Sequence, residues 1–139
     1  WLIALFALVM CSDSGAYLLG SAIGRHKMAP SLSPKKSWEG AVGGVLAAWL
    51  GGLAVFLLLD LGLTPERLRE DPASMILLAL LPVLVSVVSQ LGDLVESAFK
   101  RDAGVKDSGA LFPGHGGVLD RCDGFLFAAP VLYHLVTAL

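Results

Sequence analysis

The sequence predicts an all-α fold, a polytopic integral membrane helical bundle of about four helices, and three observations carry that expectation. Hydrophobic residues make up 55% of the chain and charged residues only 16%, against about 25% charged in an ordinary soluble domain. Mean hydropathy is +0.74. The charges are also segregated: residues 40–59 and 72–92 contain none, and residues 1–24 contain only Asp13. Twenty residues of helix rise about 30 Å, the thickness of the hydrocarbon core. A buried soluble core fits two such runs poorly.

Composition also excludes several classes. A net charge of −2, from ten Lys and Arg against twelve Asp and Glu, gives no global field for nucleic acid, so no nucleic-acid partner is expected. Cys11 and Cys122 are too few and too far apart for a disulfide framework. The chain opens on Trp1 inside an apolar run, with neither the basic segment nor the cleavage site of a signal peptide. It therefore reads as a piece of a longer membrane protein.

The elements follow in order. Residues 1–24 form the first expected membrane helix, with Ala16, Gly20 and Gly24 at every fourth position. Residues 40–59 form the second, with a matching stripe of Gly40, Gly44, Ala48 and Gly52. Such stripes let helix backbones approach closely in lipid, where no hydrophobic force drives association. Residues 72–92 form the third, with Pro82 inside as an expected kink, and residues 124–139 the fourth.

Three polar stretches separate these runs. Residues 25–39 and 93–123 hold four Lys and Arg each, and residues 60–71 hold two. Because the second and third helices each cross once, the first and third stretches share a side. The excess of basic residues assigns that side to the cytoplasm. Pro30, Ser31, Leu32, Ser33 and Pro34 read as a short rigid turn.

Three features carry chemistry. Asp13, between Ser12 and Ser14, lies in an otherwise apolar helix. A carboxylate there costs at least ~2.5 kcal/mol on insertion scales, and such residues usually face a cavity or a partner. Ser86, Ser89, Asp93, Glu96, Ser97 and Lys100 recur at intervals that place them on one helix side, as if lining a wet cavity. A solvated helix end with an ordinary Glu96–Lys100 pair explains part of this stripe, and Asp93 less well. Finally, Gly114, Gly116 and Gly117 surround His115, a pattern that leaves backbone amides open to an anion. Asp120 and Asp123 follow at the start of the last helix, where two carboxylates can hold Mg²⁺. A helix cap and ordinary turn glycines would give the same local pattern.

Together these residues resemble a known signature. Ser97-Ala98-Phe99-Lys100-Arg101, then Lys106-Asp107-Ser108-Gly109, then Pro113-Gly114-His115-Gly116-Gly117-Val118-Leu119-Asp120-Arg121-Cys122-Asp123 closely resemble the motif of the phosphatidate cytidylyltransferase (CDP-diacylglycerol synthase) family. Asp13-Ser14-Gly15-Ala16-Tyr17 and Ser33-Pro34-Lys35-Lys36-Ser37-Trp38-Glu39-Gly40 look like two earlier motifs of that family, in the same order. Cys122 stands where the family usually has an aliphatic residue, a packing variation.

The resemblance implies that residues 1–139 are the C-terminal catalytic membrane domain of a larger protein, its N-terminal helices absent. It implies transfer of a cytidylyl group from CTP to phosphatidate, giving CDP-diacylglycerol and pyrophosphate in phospholipid biosynthesis. It implies Mg²⁺, in a two-metal site, with Asp93 and Asp120 as metal ligands. Catalytic roles fall to Lys100, Arg101, Lys106, Asp107, His115, Arg121 and Asp123. Substrate binding falls to Asp13, Ser33, Lys36, Ser97, Gly116 and Gly117. The expected partners are CTP, the phosphatidate lipid and the bilayer; a homodimer is allowed but not specified. Competing readings are an ether-lipid cytidylyltransferase, a CTP-dependent polyprenol kinase, a transporter segment using Asp13 and Asp93, and a non-catalytic helical interaction domain.

Overall fold

The computed structural model describes residues 1–58, 72–105, 108–109 and 117–137. Its helices are α1 (Leu2–Ile23), α2 (Trp38–Leu58), α3 (Pro72–Asp102) and α4 (Leu119–Thr137). Between α1 and α2 runs a hairpin of β1 (Lys27–Ala29) and β2 (Ser33–Ser37). By length and composition α1, α2 and the Ala79–Asp102 part of α3 can each cross a membrane. The apolar part of α4, Cys122–Thr137, is shorter. The expected helical membrane bundle is what the chain forms.

The small-residue stripes lie where α1 meets α2. A Cβ on Gly40 would stand 2.8 Å from the Ala16 carbonyl oxygen, and one on Gly43 only 2.5 Å from Leu19 Cδ1. No larger residue fits that seam, so glycine sets how close the two helices come. Elsewhere all four helices share an apolar core: Ala4, Leu5, Leu8 and Val9 of α1, Phe56 of α2, Leu81 and Val85 of α3, and Ala128 and Leu132 of α4. Large apolar side chains such as Leu2, Leu18, Leu50, Leu58 and Leu126 point outward, as a lipid solvent requires. The helix continues through Pro82, whose buried ring lies against Gly52 of α2.

The hairpin is the main departure from the expected all-helical layout. Its strands lack apolar alternation, the usual strand signal, so sequence pattern marks only the Pro30–Pro34 turn. A two-stranded ribbon is marginal in isolation, and this one is held at its base by helix-capping groups. Ser37 Oγ accepts from the Gly40 amide at 3.2 Å, capping α2. Both Glu39 carboxylate oxygens accept from the His26 amide, and Oε1 also lies 2.6 Å from His26 Nδ1. Pro34 fits within β2 because an edge strand tolerates a missing donor.

α3 ends in a tight reversal. The Gly104 amide donates to the Arg101 carbonyl and the Val105 amide to the Lys100 carbonyl, with Gly104 at φ +69°, a Schellman cap that glycine adopts without strain. Lys100 and Arg101 thus occupy the last turn, where cations complement the helix dipole. The hairpin meets this end of α3: Arg101 Nε reaches the Leu32 carbonyl at 3.5 Å. The first and third polar stretches therefore share one end of the bundle.

Candidate active site

The site grows out of one face of α3. Ser86 and Ser89 are fully buried, and Ser86 Oγ lies 2.7 Å from Ser12 Oγ of α1. One turn on, Gln90 Nε2 donates to Ser86 Oγ at 3.1 Å and to the Ala41 carbonyl of α2 at 3.2 Å. Three helices are thus tied by one polar chain in the bundle interior. Gly44 makes room for it, since a Cβ there would meet Gln90 Nε2 at 2.8 Å.

Above this chain the stripe becomes charged. Lys36 Nζ of β2 lies 2.6 Å from Asp93 Oδ2 and donates to the Gln90 carbonyl at 3.3 Å. Around them opens a cavity of about 300 Å³, bordered by Asp13, Ser33, Lys36, Gln90 and Asp93. Asp13 therefore faces a polar cavity and is not sealed among apolar side chains. This brings together three of the expected substrate-binding residues, Asp13, Ser33 and Lys36.

Close approach of α3 and α4 builds the other half. A Cβ on Gly92 would stand 3.0 Å from the Asp123 carbonyl oxygen, and Gly124 packs directly against Ser89. That proximity gathers Asp93, Glu96 and Asp123, each offering a carboxylate oxygen within 4.8 Å of the others. Glu96 is only 5% exposed. Lys100 Nζ lies 2.5 Å from its Oε2, the i,i+4 pair its spacing suggests, but neither oxygen receives a well-directed hydrogen bond among the described residues. A buried carboxylate with unused lone pairs beside two more is a hard-oxygen donor set, the kind that Mg²⁺ prefers. The residues present fit a divalent cation.

Asp120, the other expected metal ligand, sits next to this cluster and is heavily engaged. Its Oδ1 accepts from Lys100 Nζ at 2.7 Å. Its Oδ2 accepts from the Ser108 amide at 2.9 Å, the Ser108 hydroxyl at 2.7 Å and the Gly117 amide at 2.7 Å. Burial alone would raise its carboxyl, but the Lys100 charge and these donors hold it well below the usual carboxylate range. Lys100 is consequently shared between Glu96 and Asp120. Gly117, expected at the substrate, is here an amide donor to Asp120.

Ser97 and Arg101 lie on the outer side of α3, bordering a second, open groove with Ser33, Lys35 and Lys100. A third groove is apolar and lies between α3 and α4, with Val95, Phe99, Leu126 and Phe127 along it and Lys100 and Asp123 at its polar end. The expected positions Lys106, Asp107, His115 and Gly116, and the side chain of Arg121, lie outside the described residues. The sequence places Glu96 in the polar stripe without a ligand role, and leaves Gln90 and Lys35 unassigned. Gln90 is three positions before Asp93, so the helix spacing that puts Glu96 in the stripe could have flagged Gln90 as well.

Comparison with known proteins settles the family. The model of the cytidylyltransferase family matches residues 1–139, the whole chain. The chain belongs to the cytidylyltransferase family. Among its relatives, proteins named phosphatidate cytidylyltransferase, the one from Brucella suis is 48% identical over 132 residues, 95% of this chain. Those from Staphylococcus epidermidis and Staphylococcus saprophyticus are 45% and 42% identical over 127 residues, 91% of this chain. The chain spans 45% of the length of each of these relatives. As a cytidylyltransferase family member with three helices fit to cross a bilayer, it is an integral membrane protein.

Proposed function

We propose that this chain carries the catalytic centre of a CTP:phosphatidate cytidylyltransferase, the activity for which its relatives are named. The observation that carries the reading is the Asp93, Glu96 and Asp123 cluster, set between Lys36 and Lys100 at the polar end of a membrane bundle. Both reactants are polyanions, so the task is to neutralise and align two phosphate groups rather than to generate a strong nucleophile.

Asp93, Glu96 and Asp123 would hold a divalent cation, with Asp120, tied in through Lys100, the fourth carboxylate at hand. Mg²⁺ there would neutralise phosphate charge. The protein's own contribution is placement. Lys36 and Lys100 are each held by carboxylates that a phosphate can replace, so each is kept oriented until substrate arrives. Asp13 borders the same cavity as Lys36 and steers its charge. The apolar groove between α3 and α4 runs up to Lys100 and Asp123, which suits a lipid whose phosphate must reach the site from the bilayer. Eight of the ten Lys and Arg lie in the two stretches that meet at this end, so it faces the cytoplasm and its nucleotide.

The direct test is CTP turnover with phosphatidate and Mg²⁺, run on this chain and on the full-length protein. Release of pyrophosphate with formation of a CDP-lipid by the full-length protein is expected. Release of CDP would instead mean a lipid kinase, and no CTP consumption would remove the catalytic reading.

A further inference from the structure

The hairpin borders two spaces at the polar end of the bundle, one balanced in formal charge and one cationic, and this suggests separate seats for parts of the nucleotide. On its inner side, the cavity lined by Lys35 and Lys36 also contains Asp13 and Asp93, so its formal charges cancel. On its outer side, the groove of about 370 Å³ between β2 and the last turns of α3 is lined by Leu32, Ser33, Pro34, Lys35, Ser97, Lys100 and Arg101, with no acid among them. Ser33 and Lys35 border both spaces.

Within the outer groove, Lys100 is already shared by Glu96 and Asp120. Lys35 and Arg101 are different. Both are exposed, and among the described residues neither stands within ion-pair distance of a carboxylate. Arg101 lines the groove and uses only its Nε on the Leu32 carbonyl, at 3.5 Å, so its other guanidinium donors have no protein partner among the described residues. Two cations from different elements, with two serine hydroxyls and no carboxylate, make a receptor for a compact polyanion.

We propose that this outer groove seats the pyrophosphate half of the nucleotide and its release, with Lys35 and Arg101 as its charges. The proposal rests on the cytidylyl-transfer reading. In that reaction a lipid phosphate oxygen forms a bond to the α-phosphorus of CTP. The bond from that phosphorus to the oxygen bridging to the β-phosphate breaks, and the electron pair leaves on pyrophosphate. The leaving group then needs positive charge on the side away from the lipid. The groove supplies it at the open edge of the bundle, opposite the inner cavity across β2.

The test uses full-length protein in detergent, with pyrophosphate as product inhibitor and as a directly titrated ligand. Replacing Lys35 by Ala is expected to weaken pyrophosphate inhibition about tenfold, the worth of one charge-assisted contact. Lys35→Arg is expected to restore it, and the KM for phosphatidate is expected to change by less than about twofold, because the lipid sits elsewhere. Arg101→Ala is expected to weaken direct pyrophosphate binding in the same way. Unchanged pyrophosphate affinity in both Lys35→Ala and Arg101→Ala would overturn the proposal while leaving cytidylyl transfer standing. If wild type releases no pyrophosphate from CTP, the transfer reading fails. The titration then decides the groove alone: weaker binding in the variants upholds an anion seat, and equal binding removes it.

Discussion

Lys36 and Asp93 meet at 2.6 Å across two elements far apart in sequence, the second strand of the hairpin and the polar end of α3. Each is under half exposed, and the lysine also donates to the Gln90 carbonyl. Both border the inner cavity, and Asp93 also belongs to the carboxylate cluster, so the pair joins the two.

This predicts asymmetric behaviour on substitution. Asp93→Asn in the full-length protein is expected to abolish Mg²⁺-dependent transfer of label from CTP into lipid. Lys36→Ala is expected to leave a measurable rate with a raised KM for CTP. Exchanging the two residues should rescue neither defect, because each then faces the wrong ligand. Recovery in the exchanged variant would reduce the pair to a structural tie.

Glu96 offers a sharper test of the proposed cation site. Its carboxylate is buried and lies within 4.8 Å of Asp93 and Asp123 through their oxygens. Glu96→Gln keeps the shape and removes the charge. The Mg²⁺ concentration giving half-maximal activity is expected to rise about 10-fold or more, as when support around a metal site is lost. A Mg²⁺ titration that superimposes on wild type would take Glu96 out of the site.

Gln90 links α2 and α3 through the Ala41 carbonyl and Ser86. Replacing it by Leu leaves Ser86 with Ser12 alone and frees the Ala41 carbonyl. Interhelical hydrogen bonds in membranes contribute about 0.6 kcal/mol on average, up to about 2. The expected outcome is a loss of that order in denaturant titrations in mixed micelles, with Ser12→Ala costing more once Gln90 is gone, because buried Ser86 then loses both of its partners. Fully additive losses would show that the two groups act independently.

Gly43 reports on the α1–α2 seam. A side chain there collides with Leu19 and approaches the Gly15 carbonyl at 2.9 Å. Gly43→Leu is expected to destabilise the protein by ~1–3 kcal/mol, the usual range for overpacking, read as a lowered Tm in detergent. An unchanged Tm would show that the helices can separate at no cost.

How far the sequence alone reached can be judged from particular residues. The uncharged runs marked all four helices because hydropathy over a membrane span is a strong signal, and the Gly40–Gly52 stripe marked a packing seam. The i, i+3 and i+4 spacing on α3 put Asp93 and Glu96 on one side, where they are found. Spacing could not show that Asp123, on another helix, completes the group, because that depends on how close Gly92 and Gly124 let the two helices come. Nor could it distinguish Asp120 from Asp123. Both open α4, but one turns toward Lys100, Ser108 and Gly117 while the other joins the cluster. The hairpin escaped notice because capping groups and a helix end, rather than an apolar face, hold it in place.

The contact of Gly92 and Gly124 with the facing helix has a consequence for the order in which the protein is made. Lys36 and Asp93 are both present once α3 has left the ribosome and entered the bilayer, but the carboxylate cluster lacks Asp123 until α4 docks. A nascent chain arrested before α4 therefore carries the hairpin and most of the cations without a complete acidic site. Assembly of the last helix is the event that brings the third carboxylate of the proposed cation site into place.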